Sequence, residues 1–494
     1  MFFELKIPFL IRRTPSYASF RHSLFIQITA FLRDFGKIQI TSVIKFFQKP
    51  INSSISMNFL RSLIALDSPL RIFYHYLRGL IAFHFYGNPA RDMIIIGITG
   101  SKGKTTVTNL VARGLEHAGK KVFMFSTANY SINGQWSENT MKMTSPSPFV
   151  LQRLLKEAKE AGCEYAVIET SSHSIFYNRN YGIDYDVAVL TNISQDHLDL
   201  HRTMDNYAAT KLLLFKNLVN FRRKPGVKKI AVVNIDSDYA SMFLSETTPD
   251  IMYTYGMSAN AQIRSQNIYY FKEGTEFEIK MPSNIVSIKT KLRGNFNVSN
   301  ILAAVSVLIS QKIDIPTIVT AIKSVEIIPG RLEEIENNRG LMVFVDYAHT
   351  EDSLRNVLET VKQMEGIGRI ITVFGATGDR DTNKRPKMGR IVDTLSDVII
   401  LTEDDNYTEN SLKIIKEVSM GIKRKEGEGF WIVPSRMDAI RTALLIAEEG
   451  DVVLIAGKGA ETSQITNTGA IDWDDRVMTR KILREIDENE IVMV

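Results

Sequence analysis

The chain has 494 residues, 44% hydrophobic and 23% charged, with a net charge of +5 and one cysteine. That length holds two or three domains with cores of their own, and the lone Cys163 excludes an internal disulfide or a CxxC zinc ribbon. No apolar run reaches the roughly 18 residues of a membrane span, and no cleavable signal pattern opens the chain, so a reducing, cytoplasmic setting is expected. Residues 1–92 carry 12 Lys+Arg against 4 Asp+Glu and are rich in Phe, Ile and Leu, as in "FRHSLFIQITAFLRDFGKIQI". This short, mainly helical segment suits either an anionic membrane surface or the flank of a folded neighbour. The rest of the chain is slightly acidic, and no stacking motif accompanies the basic segment, so no nucleic acid is expected as a partner. The expected partners are small molecules, and the chain is expected to act as a monomer.

From residue 93 short apolar strands alternate with amphipathic helices, the pattern of a mainly parallel α/β sheet. The strands are "MIIIGIT", "KKVFMFS", "YAVIET", "VAVLTNI" and "KIAVVN", with helices over "TTVTNLVARGLEHAG" and "PSPFVLQRLLKEAKEAG". Residues 250–290 alternate instead like antiparallel strands, and "NFNVSNILAAVSVLIS" returns to helix. A second α/β series follows Pro329-Gly330, with strands "LMVFVDY", "RIITVFG", "DVIILTED", "GFWIVP" and "DVVLIAG". The expected domains are therefore 1–92, 93–328 and 329–494, with a hinge at Pro329-Gly330.

The first strand runs into "GITGSKGKTT", which misses the strict phosphate-loop pattern because Ile98 stands where its first glycine belongs. The spacing Gly97-x-x-Gly100-x-x-Gly103-Lys104-Thr105 nevertheless serves the same chemistry. Glycines turn backbone N–H groups onto phosphates, a lysine neutralises them, and a threonine hydroxyl can ligate Mg²⁺. Gly100, Ser101, Lys102, Gly103, Lys104, Thr105 and Thr106 are thus the expected nucleotide loop, with ATP and Mg²⁺ the expected ligands. Glu169 ends the strand "YAVIE", where an open sheet faces its crevice, and can hold the metal together with Thr105 or Thr106. Taken alone, Lys211 reads as a surface lysine on its helix, Thr144 and Ser145 in "MTSPSP" as a helix cap, and the Asp196-His197 pair as structural.

The variant loop and the segments after it resemble the Mur ligases, ATP-dependent enzymes that add amino acids to the peptidoglycan precursor. The resemblance runs in order through "VIETSSHSIFYNR", "TNISQDHLDLH", "YAATKLLLF", "GNFNVSN", "PGRLE", "VDYAHT", "FGATGDRDTNKRP" and "AGKGAE", over residues 94 to about 477. It implies a phosphate-loop central domain, a Rossmann-like C-terminal domain, and an acyl-phosphate reaction. Catalytic roles fall on Lys104, Glu169, His197 as a second metal ligand, and Lys211 as a carbamate. Asn297, Arg331, Asp346 and His349 would hold the nucleotide from the far side, so that hinge closure assembles the site. Thr144, Ser145, Ser171 and Arg179 would meet the acceptor, and Arg380, Asp404, Asp405, Tyr407, Gly457 and Glu461 the incoming amino acid. The Ser-Ser-His and Gly-Asp-Arg-Asp segments are most similar to the members that add the third stem-peptide residue.

Three departures qualify that picture. Residues 1–92 lack the Asp-Ser-Arg signature and glycine-rich strands of the domain that binds uridine diphosphate in the family. Where diaminopimelate-adding members carry Asp-Asn-Pro-Arg, this chain has Asp404-Asp405-Asn406-Tyr407, and the arginine that clamps a distal carboxylate is missing. Asp405 can pair with an ammonium, which favours lysine or a similar diamino acid. The usual histidine after Gly459 is Ala460. The rival readings are a related ligase with another acceptor, folate-polyglutamylating or polymer-forming, and a non-catalytic nucleotide-binding relative.

Overall fold

The computed structural model describes residues 67–492 apart from Lys142, His197 and Lys272; residues 1–66 of the basic segment lie outside the described residues. The helix Pro69–Tyr86 comes first, entered through a proline and closed by Gly87 in the left-handed region at φ 69°. It lies against the helix Pro148–Glu160.

The apolar runs become strands for the reason their composition suggests: a parallel strand covered on both faces needs no polar side. β1 (Ile94–Thr99), β2 (Val122–Phe125), β5 (Tyr165–Glu169), β6 (Val187–Leu190), β7 (Ile230–Asn234) and β8 (Ile251–Gly256) are mutually parallel. β3 (Asn129–Ile132) and β4 (Gln135–Glu138) add an antiparallel hairpin at one edge. At the other edge β9 (Ile263–Phe271), β10 (Gly274–Lys280) and β11 (Ile285–Thr290) form the antiparallel extension that the alternating pattern of 250–290 predicts. The order is β11-β10-β9-β8-β7-β6-β1-β5-β2-β3-β4. Successive residues of β1 go to opposite cores. Ile96 and Ile98 pack beneath the helices Lys104–His117 and Asn295–Ser310, and Ile95 packs beneath Pro148–Glu160 and Met204–Lys216.

The second sheet runs β12-β13-β17-β14-β15-β16, from β12 (Glu333–Ile335), β13 (Met342–Asp346), β14 (Ile370–Phe374), β15 (Val398–Leu401), β16 (Phe430–Ile432) and β17 (Val452–Ala456). All but β12 are parallel, with a core on each face. A separate hairpin, β18 (Ser463–Thr466) and β19 (Gly469–Asp472), precedes the last helix. The Pro329-Gly330 pair between the sheets is wedged: a Cβ on Gly330 would stand 2.0 Å from the Ala460 nitrogen. Arg476 also joins Glu138 at 3.0 Å, tying the C-terminal helix to the β3–β4 hairpin.

One buried charge cluster aligns the parallel strands. Asp186, fully buried ahead of β6, accepts from Ile95 N at 2.9 Å and Lys229 Nζ at 3.0 Å, and pairs with Lys224. It thereby ties the starts of β1, β6 and β7 together. Asp186→Ala leaves two buried ammoniums without a counter-charge and is expected to cost about 3–5 kcal/mol, read as a lowered urea midpoint.

Candidate functional site

The C-terminal ends of β1, β5 and β6 meet at one point because β1 lies between the other two, with Ile98 opposite Glu169 and Thr99 opposite Leu190. The loop leaving β1 is held from behind. Asn192 Oδ1 accepts from Lys102 N at 2.9 Å, and Thr191 Oγ1 donates to the Lys102 carbonyl at 2.6 Å. Ser101 Oγ donates to the Ser194 carbonyl at 3.0 Å. Two glycines make this approach possible. A Cβ on Gly100, at φ 144°, would meet Thr191 Oγ1 at 1.9 Å, and one on Gly103, at φ 79°, would meet Asn300 Oδ1 at 2.2 Å. Gly103 caps the helix Lys104–His117, so the loop offers N–H groups at a helix N-terminus.

Lys104 Nζ donates to the Ser101 carbonyl at 2.8 Å and stands 4.0 Å from Glu169 Oε1. Burial lowers its pKa, with Glu169 opposing the shift. Thr105 Oγ1 donates to Glu169 Oε2 at 3.0 Å, and the same carboxylate oxygen takes Thr127 N at 2.8 Å. The Thr105–Glu169 pair is the one the sequence reading joins; Thr106 lies buried one residue along the same helix turn. Among the described residues no group of three or more His, Cys, Asp or Glu forms a ready-made metal cage. A hydroxyl and a carboxylate together nevertheless fit Mg²⁺, which is bound through one or two protein oxygens with phosphates and waters completing its shell. His197 lies outside the described residues.

Lys211 departs from its surface reading. It is 1% exposed, its Nζ donates to the Gly100 carbonyl at 2.8 Å, and it lies 4.5 Å from the centroid of the Tyr207 ring. Burial and then the charge of Lys104 push its pKa well below that of a free lysine. On the acceptor side, Thr144 Oγ1 accepts from Thr127 Oγ1 at 2.9 Å, and the Ser145 and Ser171 hydroxyls are 3.1 Å apart. Neither Thr144 nor Ser145 caps the next helix; Ser147 does. Arg179 lies over the Tyr177 ring at 5.3 Å, its pKa lowered to about 10 by burial, with Arg71 and Arg78 adding to the shift.

The second sheet supplies the far wall. Arg331 Nη2 donates to Thr105 Oγ1 at 3.1 Å and stacks on Tyr347 at 4.5 Å. Asp346 is spent on the backbone, accepting from Leu332 N and Ala348 N at 2.7 Å each. His349 Nδ1 lies 2.7 Å from the Tyr347 carbonyl, and burial with Lys384 and Lys102 pushes its pKa down to about 3. A cleft of about 450 Å³ lies between the phosphate loop and this wall. Asn297 does not line it; the residue hydrogen-bonds the Arg293 carbonyl and accepts from Asn300, while Asn300 and Ser299 reach the cleft. Sequence reading missed Asn300, along with Asn192 and Tyr347, although each lies inside a motif already quoted.

A second cleft, about 230 Å³, shares Asp196, Tyr347 and His349 with the first. It is lined by Arg380, Asp404, Asp405, Tyr407, Gly457 and Glu461, so the six residues expected to meet the amino acid are brought together. Arg380 lies over the Tyr407 ring at 5.5 Å. Behind them stands Lys458, unread in the sequence, fully buried, 2.8 Å from Asp405, 3.1 Å from Glu461 and 3.5 Å from Asp404. Burial opposes the charge of Asp404, but Lys458 and Arg436 hold it down at about 2.

This geometry agrees with the comparisons. Residues 98–308 match the Mur ligase middle domain, and 330–459 match the Mur ligase, glutamate ligase domain. The chain belongs to the Mur ligase family. It is 38% identical over 411 residues to a UDP-N-acetylmuramoyl-L-alanyl-D-glutamate–2,6-diaminopimelate ligase of Clostridium botulinum, covering 83% of this chain and 81% of that one. A UDP-N-acetylmuramyl-tripeptide synthetase of Roseiflexus is 36% identical, with 82% and 81% covered. Among solved structures, another 2,6-diaminopimelate ligase superposes with a TM-score of 0.57 at 27% identity, covering 85% and 83%. Mycobacterium tuberculosis folylpolyglutamate synthase, complexed with ADP, shares the fold at TM-score 0.64 and 18% identity, covering 77% of this chain and 91% of that one. As a Mur ligase the chain is an ATP-dependent, amide-bond-forming enzyme. Among the described residues no helix is long and apolar enough to cross a membrane.

The displaced histidine makes a pH prediction. His349 titrates near 3 when folded and near 6.5 when unfolded, so between those values the unfolded chain binds a proton that the folded chain does not. Its contribution to stability is complete above pH 6.5 and declines as pH falls toward 3. His349→Gln is expected to shrink the drop in urea midpoint between pH 7 and pH 5; an unchanged drop would refute a neutral, buried imidazole.

Proposed function

We propose that this Mur ligase joins a diamino acid to a muramoyl dipeptide acceptor, UDP-N-acetylmuramoyl-L-Ala-D-Glu or a close relative, in peptidoglycan precursor synthesis. The observation that carries the reading is the confluence of two clefts at Tyr347, His349 and Asp196, one facing the phosphate loop and the other facing Arg380 and Glu461. The acceptor carboxylate attacks the γ-phosphorus of ATP, ADP leaves, and an acyl phosphate forms. The amine then attacks the acyl carbon, phosphate departs, and the amine's proton passes to solvent. Lys104 and the loop N–H groups hold the phosphates, Arg331 approaches from the far wall, and Ser145, Ser171 and Arg179 orient the acceptor. Thr105 and Glu169 would hold Mg²⁺, which would supply charge neutralisation at the transferring phosphoryl group.

The amino-acid cleft favours a side chain that ends in an ammonium. Three carboxylates, Asp404, Asp405 and Glu461, gather about Lys458, and Arg436 behind them is paired with Asp475, so this wall carries more acids than cations. Tyr407 has no guanidinium to grip a distal carboxylate. Arg380, opposite, suits the α-carboxylate. Meso-diaminopimelate is the second reading, favoured by the names of the curated relatives. The test is phosphate release with ATP, Mg²⁺ and the acceptor, supplying lysine, ornithine and meso-diaminopimelate in turn. Turnover is expected with lysine or ornithine, and Tyr407→Arg is expected to shift preference toward diaminopimelate. Turnover with diaminopimelate alone would reverse the amino-acid assignment, and silence with all three would sink the acceptor.

Lys211 is proposed to carry a carbamate. Burial and the charge of Lys104 lower the pKa of its amine, which favours the neutral form that adds CO₂. Protein equilibrated with ¹³C-bicarbonate should show a carbamate carbon signal that Lys211→Met removes. That variant is expected to lose roughly 10²-fold or more in kcat, and a wild-type spectrum without the signal would contradict the assignment.

A further inference from the structure

The helix Pro69–Tyr86 precedes the stretch that matches the family's middle domain, and it packs against the segment that the ligase reading gives to the acceptor. Its packing is close and specific. A Cβ on Gly79 would meet Tyr181 Cβ at 2.8 Å, and a Cβ on Gly182 would meet the Phe83 ring at 2.0 Å. Gln152 Nε2 donates to the Tyr181 carbonyl at 3.1 Å, and the Tyr76 and Phe83 rings stand edge-on to Tyr181 at 5.3 and 5.7 Å. The helix is thereby fixed on the segment that carries Ser171 and Arg179.

That fixed helix brings two more arginines to Arg179. Arg71 lies over the same Tyr177 ring as Arg179, at 5.8 and 5.3 Å from its centroid. Arg78, 7% exposed, reaches Tyr74 OH at 3.4 Å and lies over the Tyr74 and Phe149 rings, and its Nε has no acceptor among the described residues. Among the described residues none of the three makes an ion pair with a carboxylate. Burial lowers the pKa of Arg179, and the charges of Arg71 and Arg78 add to the shift. By contrast, Arg436 is neutralised by Asp475 at 2.6 Å and Lys229 by Asp186 at 3.0 Å. An uncompensated set of guanidinium forks stacked on aromatic rings is the arrangement that receives an oxyanion from outside the chain.

We infer that Arg71 and Arg78, with Arg179, form an anion site that takes a phosphate or carboxylate group of the acceptor. The inference rests on the ligase reading above. It extends the acceptor contact from Arg179, at the peptide end, onto the helix Pro69–Tyr86.

The test uses the full chain and compares wild type with Arg71→Gln and Arg78→Gln. KM for UDP-N-acetylmuramoyl-L-Ala-D-Glu is expected to rise at least tenfold, with kcat and KM for ATP unchanged. N-acetylmuramoyl-L-Ala-D-Glu, which lacks the diphosphate, identifies the group bound. A rise confined to the nucleotide-linked acceptor assigns the phosphates, and an equal rise with both acceptors assigns the carboxylate. KM values within twofold of wild type for both acceptors would overturn the site. Because Arg78 is buried, Arg71→Gln, at a half-buried position, carries the test if Arg78→Gln fails to fold. Should the wild type turn over no acceptor, the ligase reading fails first. The anion site is then decided by calorimetric titration of ADP-saturated protein with inorganic pyrophosphate: heat lost in Arg71→Gln sustains it, and no heat in the wild type refutes it.

Discussion

The hold of β6 on the loop leaving β1 is the constraint on which the rest of the site depends. Thr191 and Asn192 take the backbone of Lys102 from behind, while Lys211 takes the carbonyl of Gly100. These bonds are satisfied before any nucleotide arrives, so the loop's N–H groups are oriented in advance and no ordering cost falls on binding. The close approach works only because Gly100 and Gly103 carry no Cβ. It also places Lys211 within the phosphate loop's field, where burial and Lys104 together disfavour its charge.

From that anchor the chemistry spreads outward along hydrogen bonds. Thr105 joins the loop to Glu169; Glu169 joins Thr127; Thr127 joins Thr144 on the acceptor side. Arg331 enters from the second sheet and bonds the same Thr105 hydroxyl. One hydroxyl therefore links the phosphate loop, the carboxylate at the end of β5 and the far wall. The amino-acid cleft is organised in the same manner around Lys458, a buried cation whose partners are the carboxylates that face the substrate space. Its role is positional: it keeps three mutually repelling acids in one small volume.

Much of the fold is legible in the residues. β1, β5, β6 and β7 are buried on both faces, so they appear as unbroken apolar runs, and the second sheet repeats the pattern in β13, β14, β15 and β17. The β3–β4 hairpin was missed because β4, "QWSE", is largely exposed and carries no apolar face. Its turn was readable all the same, for Asn133-Gly134 has both φ values positive, at 50° and 81°. β18 and β19 escaped for the same reason as β4: "GAID" is exposed throughout. At the site, the phosphate loop, Glu169 and the amino-acid cluster stood in the sequence. Lys211 looked like a surface lysine because local helix pattern does not report what another loop lays over the helix.

By itself, then, the sequence determined the alternation of strands and helices, the glycine spacing that lets a backbone close on phosphate, and most of the residue types that line the two clefts. Those are properties of short stretches: periodicity, backbone freedom and side-chain chemistry act within a few residues. The tertiary structure alone decided that Lys458 pairs with the acids of the second cleft, that Asn300 rather than Asn297 lines the cleft at the phosphate loop, and that Arg71 and Arg179 share the Tyr177 ring. Each of these joins residues set in register by packing rather than by the chain. Burial and charge at such a meeting depend on every element that closes around it, and no local pattern encodes that sum.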